Sequence, residues 1–182
     1  MPDAPEIEAE VAEIVRTIEA GEDRIEVPEE LVVEPERAAP ARPMGTLQAQ
    51  IIAMGMSEKL KLALRGNKDA RMILIHDGNK IIRRFVLSNV RITDGEVIAV
   101  ARNRNVDEEM LRLITERREW MRNYQVRLAI ATNPKAPLPV ALRQVSSLDQ
   151  RDLRQIAKSK NVPQAIAAHA RRLLLLAHGD KE

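Results

Sequence analysis

The chain has no cysteine, which removes disulfides, thiolate nucleophiles and thiolate metal sites together. Aromatic residues are nearly as scarce, with one Phe, one Trp and one Tyr in 182 residues. The interior must therefore be assembled from Leu, Ile, Val, Ala and Met, a palette that suits helices packed on helices. No run approaches the roughly 18 consecutive apolar residues of a spanning helix. Seven glycines form no Gly-x-Gly-x-x-Gly and no phosphate loop, and no serine occupies a nucleophile elbow. The three histidines, His76, His169 and His178, fall in separate segments without His-x-x-x-His spacing, so no metal and no cofactor is expected. Paired acids such as Asp107-Glu108-Glu109 open a helical segment, where carboxylates meet the positive end of the dipole. The expectation is a protein that is not an enzyme. Met1-Pro2-Asp3-Ala4-Pro5-Glu6 has neither a basic start nor an apolar run, which argues against a targeting peptide and for a cytoplasmic location.

What is present is unevenly distributed. The net charge of +2 hides an acidic arm and a basic body. Residues 1–56 hold 13 acidic against 4 basic side chains, net −9, and residues 57–182 hold 25 basic against 14 acidic, net +11. Such a division points to an interaction tail, a basic binding face, or one masking the other.

Three regions follow. Residues 1–21 place Ile7, Val11, Ile14 and Ile18 on one helical stripe among glutamates, with Gly21 as the stop. A helix of this length is marginal alone; it either frays at the surface or docks, on a partner or on its own basic body. Residues 22–45 carry Pro28, Pro35, Pro40 and Pro43 among acids, the signature of an extended, largely disordered linker. Residues 46–182 form the main domain. Helices are predicted at about 46–54, 58–65, 69–76, 80–88, 93–103, 107–116, 124–132, 138–145, 148–159 and 163–177. Ser57 with Glu58 and Thr93 are read as caps. Asn89, Asn105, Asn133 and Asn161 each follow an apolar run, where asparagine tolerates the left-handed conformation that ends a helix.

The chain also repeats itself. Ile82-Arg83-Arg84-Phe85-Val86-Leu87-Ser88-Asn89 is echoed by Val126-Arg127-Leu128-Ala129-Ile130-Ala131-Thr132-Asn133, and the stretch from Ile98 to Val106 by that from Arg154 to Val162. Self-similarity at such spacing is the mark of stacked helical repeats. The array is irregular, because the second copy is longer by a helix.

The phrase from Val126 to Pro137, followed by Val140-Ala141-Leu142 and preceded by Glu119-Trp120, resembles the leucine-rich repeat variant family, a relative of HEAT-type α-solenoids. The likeness spans about residues 70–177. Its copy at Arg83–Ile98 departs from the pattern, with Val90 in place of proline and Thr93-Asp94 in place of Thr-Pro. The resemblance implies an all-α fold, an irregular right-handed solenoid of short helices. Members of that family can carry an iron–sulfur cluster on cysteines, a feature that does not carry over to this chain. Arg83, Arg127 and Arg71 stand where such stacks use arginine to bridge neighbouring units through an acid or a carbonyl.

Equivalent repeat positions line up along one edge. Arg102 and Arg104 align with Lys158 and Lys160, with Arg91 and its counterpart Lys135 in nearby turns; either these six form a positive binding edge, or they complement helix C-termini and stay solvated. Trp120 and Tyr124, four residues apart, read as packing between repeats. The leading functional expectation is a scaffold for a protein partner, with Ile7, Val11, Ile14 and Ile18 as a docking stripe. Sequence-nonspecific nucleic-acid binding by the basic body is second, although three aromatics count against base stacking. Peripheral binding to anionic membrane is third, since no basic amphipathic helix is evident.

Overall fold

A computed structural model describes residues 4–34 and 44–179. Among them every regular element is a helix. The chain divides into two compact units, 1–92 and 93–182, so the boundary lies well inside the region that the sequence suggests is one domain.

The first unit contains α1 (Ala4–Ala20), a single 3-10 turn (Glu29–Leu31), α2 (Met44–Ala53), α3 (Met56–Arg65), α4 (Lys68–Leu74) and α5 (Lys80–Val86). The stripe of α1 does not face solvent. Val11, Val15 and Ile18 are buried and Ile14 half-buried in one core with Leu47, Ile51, Leu60, Leu74 and Ile82. The side chain of Ile7 lies outside those described. Gly21, at φ 75°, ends the helix in the left-handed region, and the Arg65 guanidinium donates to the carbonyls of Ile18 (2.7 Å) and Glu19 (3.0 Å). A cation thus meets the negative end of the α1 dipole.

The arm continues inward, contrary to its sequence signature. Residues 22–34 are not a free linker: Leu31 is 1% exposed, and Ile25, Val27 and Val32 pack against the same core. Six acids and Pro28 interrupt this stretch and mask its spaced aliphatic anchors, while its carbonyls find donors in Lys61 of α3, in Asn67 just before α4 and in Arg91 after α5. The remainder of the expected linker, 35–43, lies outside the described residues. Asp23 forms an ion pair with Lys61 at 2.6 Å and accepts the Ile25 N–H. Burial by itself raises the Asp23 carboxyl, but the hydrogen bonds from Lys61 and Ile25 and the charges of Lys61 and Arg65 outweigh it and hold the group below its ordinary value. A depressed carboxyl contributes stability above the unfolded-state value and loses it as pH falls through the folded one. We expect the first unit to weaken below about pH 4 and the Asp23→Asn variant to show a shallower acid slope in denaturant titrations at pH 3 to 6.

Gly66, in the turn between α3 and α4, is closely walled by the chain on either side of it. A Cβ built on it meets the Leu62 carbonyl oxygen at 2.3 Å and the Ala70 Cβ at 3.0 Å. Its own carbonyl accepts from Arg71 Nη1 (3.1 Å) and Asn89 Nδ2 (3.2 Å).

The second unit holds α6 (Asp94–Arg102), α7 (Glu108–Glu116), α8 (Arg118–Arg122), α9 (Tyr124–Thr132), α10 (Leu138–Val145), α11 (Gln150–Lys158) and α12 (Gln164–Gly179). Thr93 and Glu96 exchange the reciprocal bonds of a capping box. In the first unit it is Gly55, not Ser57, that precedes α3, and its N–H donates to Glu58 Oε2 at 2.6 Å. α9 packs on α6, α8 and α10, and α12 on α10 and α11. Val126, Ile130, Leu111 and Ile114 are fully buried. The sequence does not announce α8, because five residues are too few to show a period; it buries Trp120, over which the Arg117 guanidinium sits 4.6 Å from the ring centroid.

The first pair of repeated phrases has one local structure. Each is a short helix opened by an asparagine, Asn79 or Asn123, whose side chain accepts the N–H two residues on. In each an arginine reaches back to a carbonyl in the preceding turn, Arg83 to Asp77 and Arg127 to Met121. In both copies the arginine ties down the entry to its own helix through a carbonyl. Each phrase closes on a buried asparagine that donates to two carbonyls at the end of an earlier helix: Asn89 to Ala63 (2.9 Å) and Gly66 (3.2 Å), Asn133 to Ala101 (2.7 Å) and Asn103 (3.0 Å). Their Oδ1 atoms accept the N–H of Arg91 and Lys135. This corrects the left-handed expectation, since no described residue other than glycine has positive φ. The asparagines serve as amide clamps between helices. The second repeated pair matches too, with Asn103 Oδ1 accepting from Asn105 N–H and Ser159 Oγ from Asn161 N–H.

Candidate functional site

The six basic residues of the expected edge do not share one environment. Arg91 belongs to the interior bonding of the first unit, where its guanidinium donates to the carbonyls of Val32 (2.8 Å) and Arg65. Its counterpart Lys135 is exposed. The position is the same in both repeats, but only the first has chain crossing in front of it for the cation to grip.

Arg102, Arg104, Lys158 and Lys160 all belong to the second unit and all are exposed. The end of α6 and the turn after it carry Arg102 and Arg104 to one wall of a hollow of about 410 Å³; α11 forms another wall with Gln155 and Ser159, and Leu128, Ala129 and Asn133 line it from α9 and beyond. Arg102 donates to Gln125 Oε1 (2.7 Å) and Arg104 to the Asn161 carbonyl (3.1 Å). Lys158 and Lys160 line a second, more open hollow of about 920 Å³ with Arg154 and Arg171, and Ser159 belongs to both. The two recesses therefore adjoin along the end of α11. Arg154 and Arg171 extend the predicted set. Arg154 was legible, being one helical turn before Lys158 on the same helix, whereas Arg171 is brought in by the packing of α12 on α11.

Electrostatically this ledge is one-sided. Among the described residues none of these six cations forms an ion pair with a carboxylate; Arg154 and Arg171 donate to Gln150 Oε1 and to the Ala157 carbonyl. The acid that lines the first hollow, Asp152, accepts the Tyr124 hydroxyl. Burial and that bond raise the Tyr124 phenol above its ordinary value. No aromatic residue lines either hollow, so the surface offers charge and amide groups but no stacking platform.

Nothing gathers that would support metal chemistry: among the described residues no three His, Cys, Asp or Glu side chains converge. His169 faces Ser146, with Nε2 and Oγ 3.0 Å apart, and the His178 side chain lies outside those described. No described helix is long and apolar enough to cross a membrane. The stripe Val11, Ile14 and Ile18, expected to be available for a partner, is spent on the core of its own unit. No family model, no curated protein and no solved structure matches the chain.

Proposed function

We propose that the chain is a non-enzymatic cytoplasmic scaffold, an irregular right-handed α-solenoid of short HEAT-like repeats, that binds an acidic segment of a protein partner along the cationic ledge of its second unit. The observation that carries this reading is the clustering of Arg102, Arg104, Arg154, Lys158, Lys160 and Arg171 around two adjoining hollows, with no carboxylate paired to any of them among the described residues. A surface of that kind has an unmet demand for anions. Repeated helix geometry supports the solenoid part, and the absence of ring side chains from the ledge favours an acidic peptide over single-stranded nucleic acid.

The test uses the full chain, a fluorescent oligoglutamate peptide and an unstructured oligonucleotide, titrated at several salt concentrations. The peptide should bind, and exchanging Arg102, Arg104, Lys158 and Lys160 for glutamate should weaken it at least about tenfold. An oligonucleotide that binds far more tightly than the peptide, with a steep salt slope, replaces this reading with phosphate-backbone binding through the same cations.

A further inference from the structure

The strongest feature outside the ledge is the way the first unit holds residues 23–34. Most of the grip falls on main chain. Asn67 donates through Nδ2 to the carbonyls of Glu30 (2.8 Å) and Val33 (2.9 Å) and through its N–H to that of Leu31 (2.7 Å). Lys61 donates to the Ile25 carbonyl (2.7 Å) and Arg91 to that of Val32 (2.8 Å). Bonds to carbonyls are indifferent to side-chain identity. Side-chain selectivity rests chiefly on the Asp23 pair with Lys61, the fully enclosed Leu31, and Glu34, which meets Arg71 Nη1 (3.1 Å) and the Lys68 N–H (3.2 Å), with Ile25, Val27 and Val32 packed more loosely on the same core. Glu26, Glu29 and Glu30 are exposed, as is Val33 at 56%. Apart from the 3-10 turn, this stretch has no regular structure of its own and is shaped by what surrounds it.

Such a pattern, with the main chain held at Ile25 and at four successive carbonyls from Glu30 to Val33 and one aliphatic anchor in a closed socket, is how proteins bind peptide segments. We propose that the face made by α3, the start of α4 and the turn after α5 is a recognition site for an acidic peptide that enters without regular structure and makes a single 3-10 turn at its aliphatic anchor. Its ligand carries an aliphatic residue followed three positions later by a carboxylate. In this chain the site is filled in cis by residues 23–34, and a partner segment of the same pattern displaces them. The site is separate from the ledge, and its failure leaves the reading of the second unit untouched.

A tethered strap competes at an effective concentration of order millimolar, so the intact chain largely excludes an outside peptide. The experiment weakens the tethered copy in the full chain with Leu31→Ser and Glu34→Ala and titrates a fluorescein-labelled peptide of residues 22–34. The double variant should bind it at least about tenfold more tightly than the unsubstituted chain does. The same peptide with Leu31→Ser should not bind, and Arg91→Ala added to the double variant should reverse part of its gain in affinity. Three results overturn the proposal. One is a double variant with full helical circular dichroism that does not bind; another is equal binding of a scrambled peptide, which reduces the effect to charge. The third is loss of helical signal in the double variant, which makes the strap part of the fold rather than a ligand.

Discussion

Replacing Asn133 with alanine is expected to destabilise the second unit by roughly 3 kcal/mol, read as a lower denaturant midpoint at unchanged slope. The side chain is 4% exposed and makes three bonds: Nδ2 to the carbonyls of Ala101 and Asn103, and Oδ1 from the Lys135 N–H. Alanine removes all three and strands groups with little access to water. Each net bond is worth about 1 kcal/mol, and an unmet buried partner costs about as much again. Asn89→Ala removes the corresponding set in the first unit and should behave alike. The exposed Asn105, which bonds Asn103 through its main-chain N–H, is the control, with an expected change within about 0.5 kcal/mol. Equal losses at Asn105 and Asn133 would refute the clamp.

The second large effect is expected at Gly66. An alanine methyl would stand 2.3 Å from the Leu62 carbonyl oxygen, far inside contact distance, and that oxygen is main chain and cannot swing aside. The backbone angle there is an ordinary −63°, so the obstacle is closeness rather than conformation. Relief requires the α3–α4 turn to open, and that turn carries the Gly66 carbonyl used by both Arg71 and Asn89. A loss of about 3–5 kcal/mol follows. Alanine at Gly78, which has open space around it, should be tolerated; calorimetry of the two variants decides the matter.

How far the sequence could be read depends on whether each signal is local. Helices such as α9 and α10 were legible to the residue, because apolar spacing and turn residues lie within the segment that folds. The clamps were not. Asn133 caps the end of α9 as expected and Asn89 lies three residues beyond α5, but propensity describes an asparagine by its own backbone, whereas here its amide is committed to carbonyls some thirty positions away. Residues 22–34 read as a linker for a related reason: five aliphatic side chains scattered among acids have no period, and the donors that hold the stretch, among them Lys61, Asn67 and Arg91, are distant in sequence. Of the basic edge, Arg102, Arg104, Lys158 and Lys160 were recoverable from repeat alignment. That alignment also equates Arg91 with Lys135, and it cannot see that the first is closed over by chain while the second is open.

The scarcity of rings has a practical consequence. The indole of Trp120, enclosed in the second unit beneath Arg117, is the sole tryptophan in the chain. Its emission therefore reports on residues 93–182 alone, and the first unit is silent at the red edge of excitation. Heating curves followed by ellipticity and by that emission will superimpose if the halves melt as one cooperative body, and will separate if either gives way first.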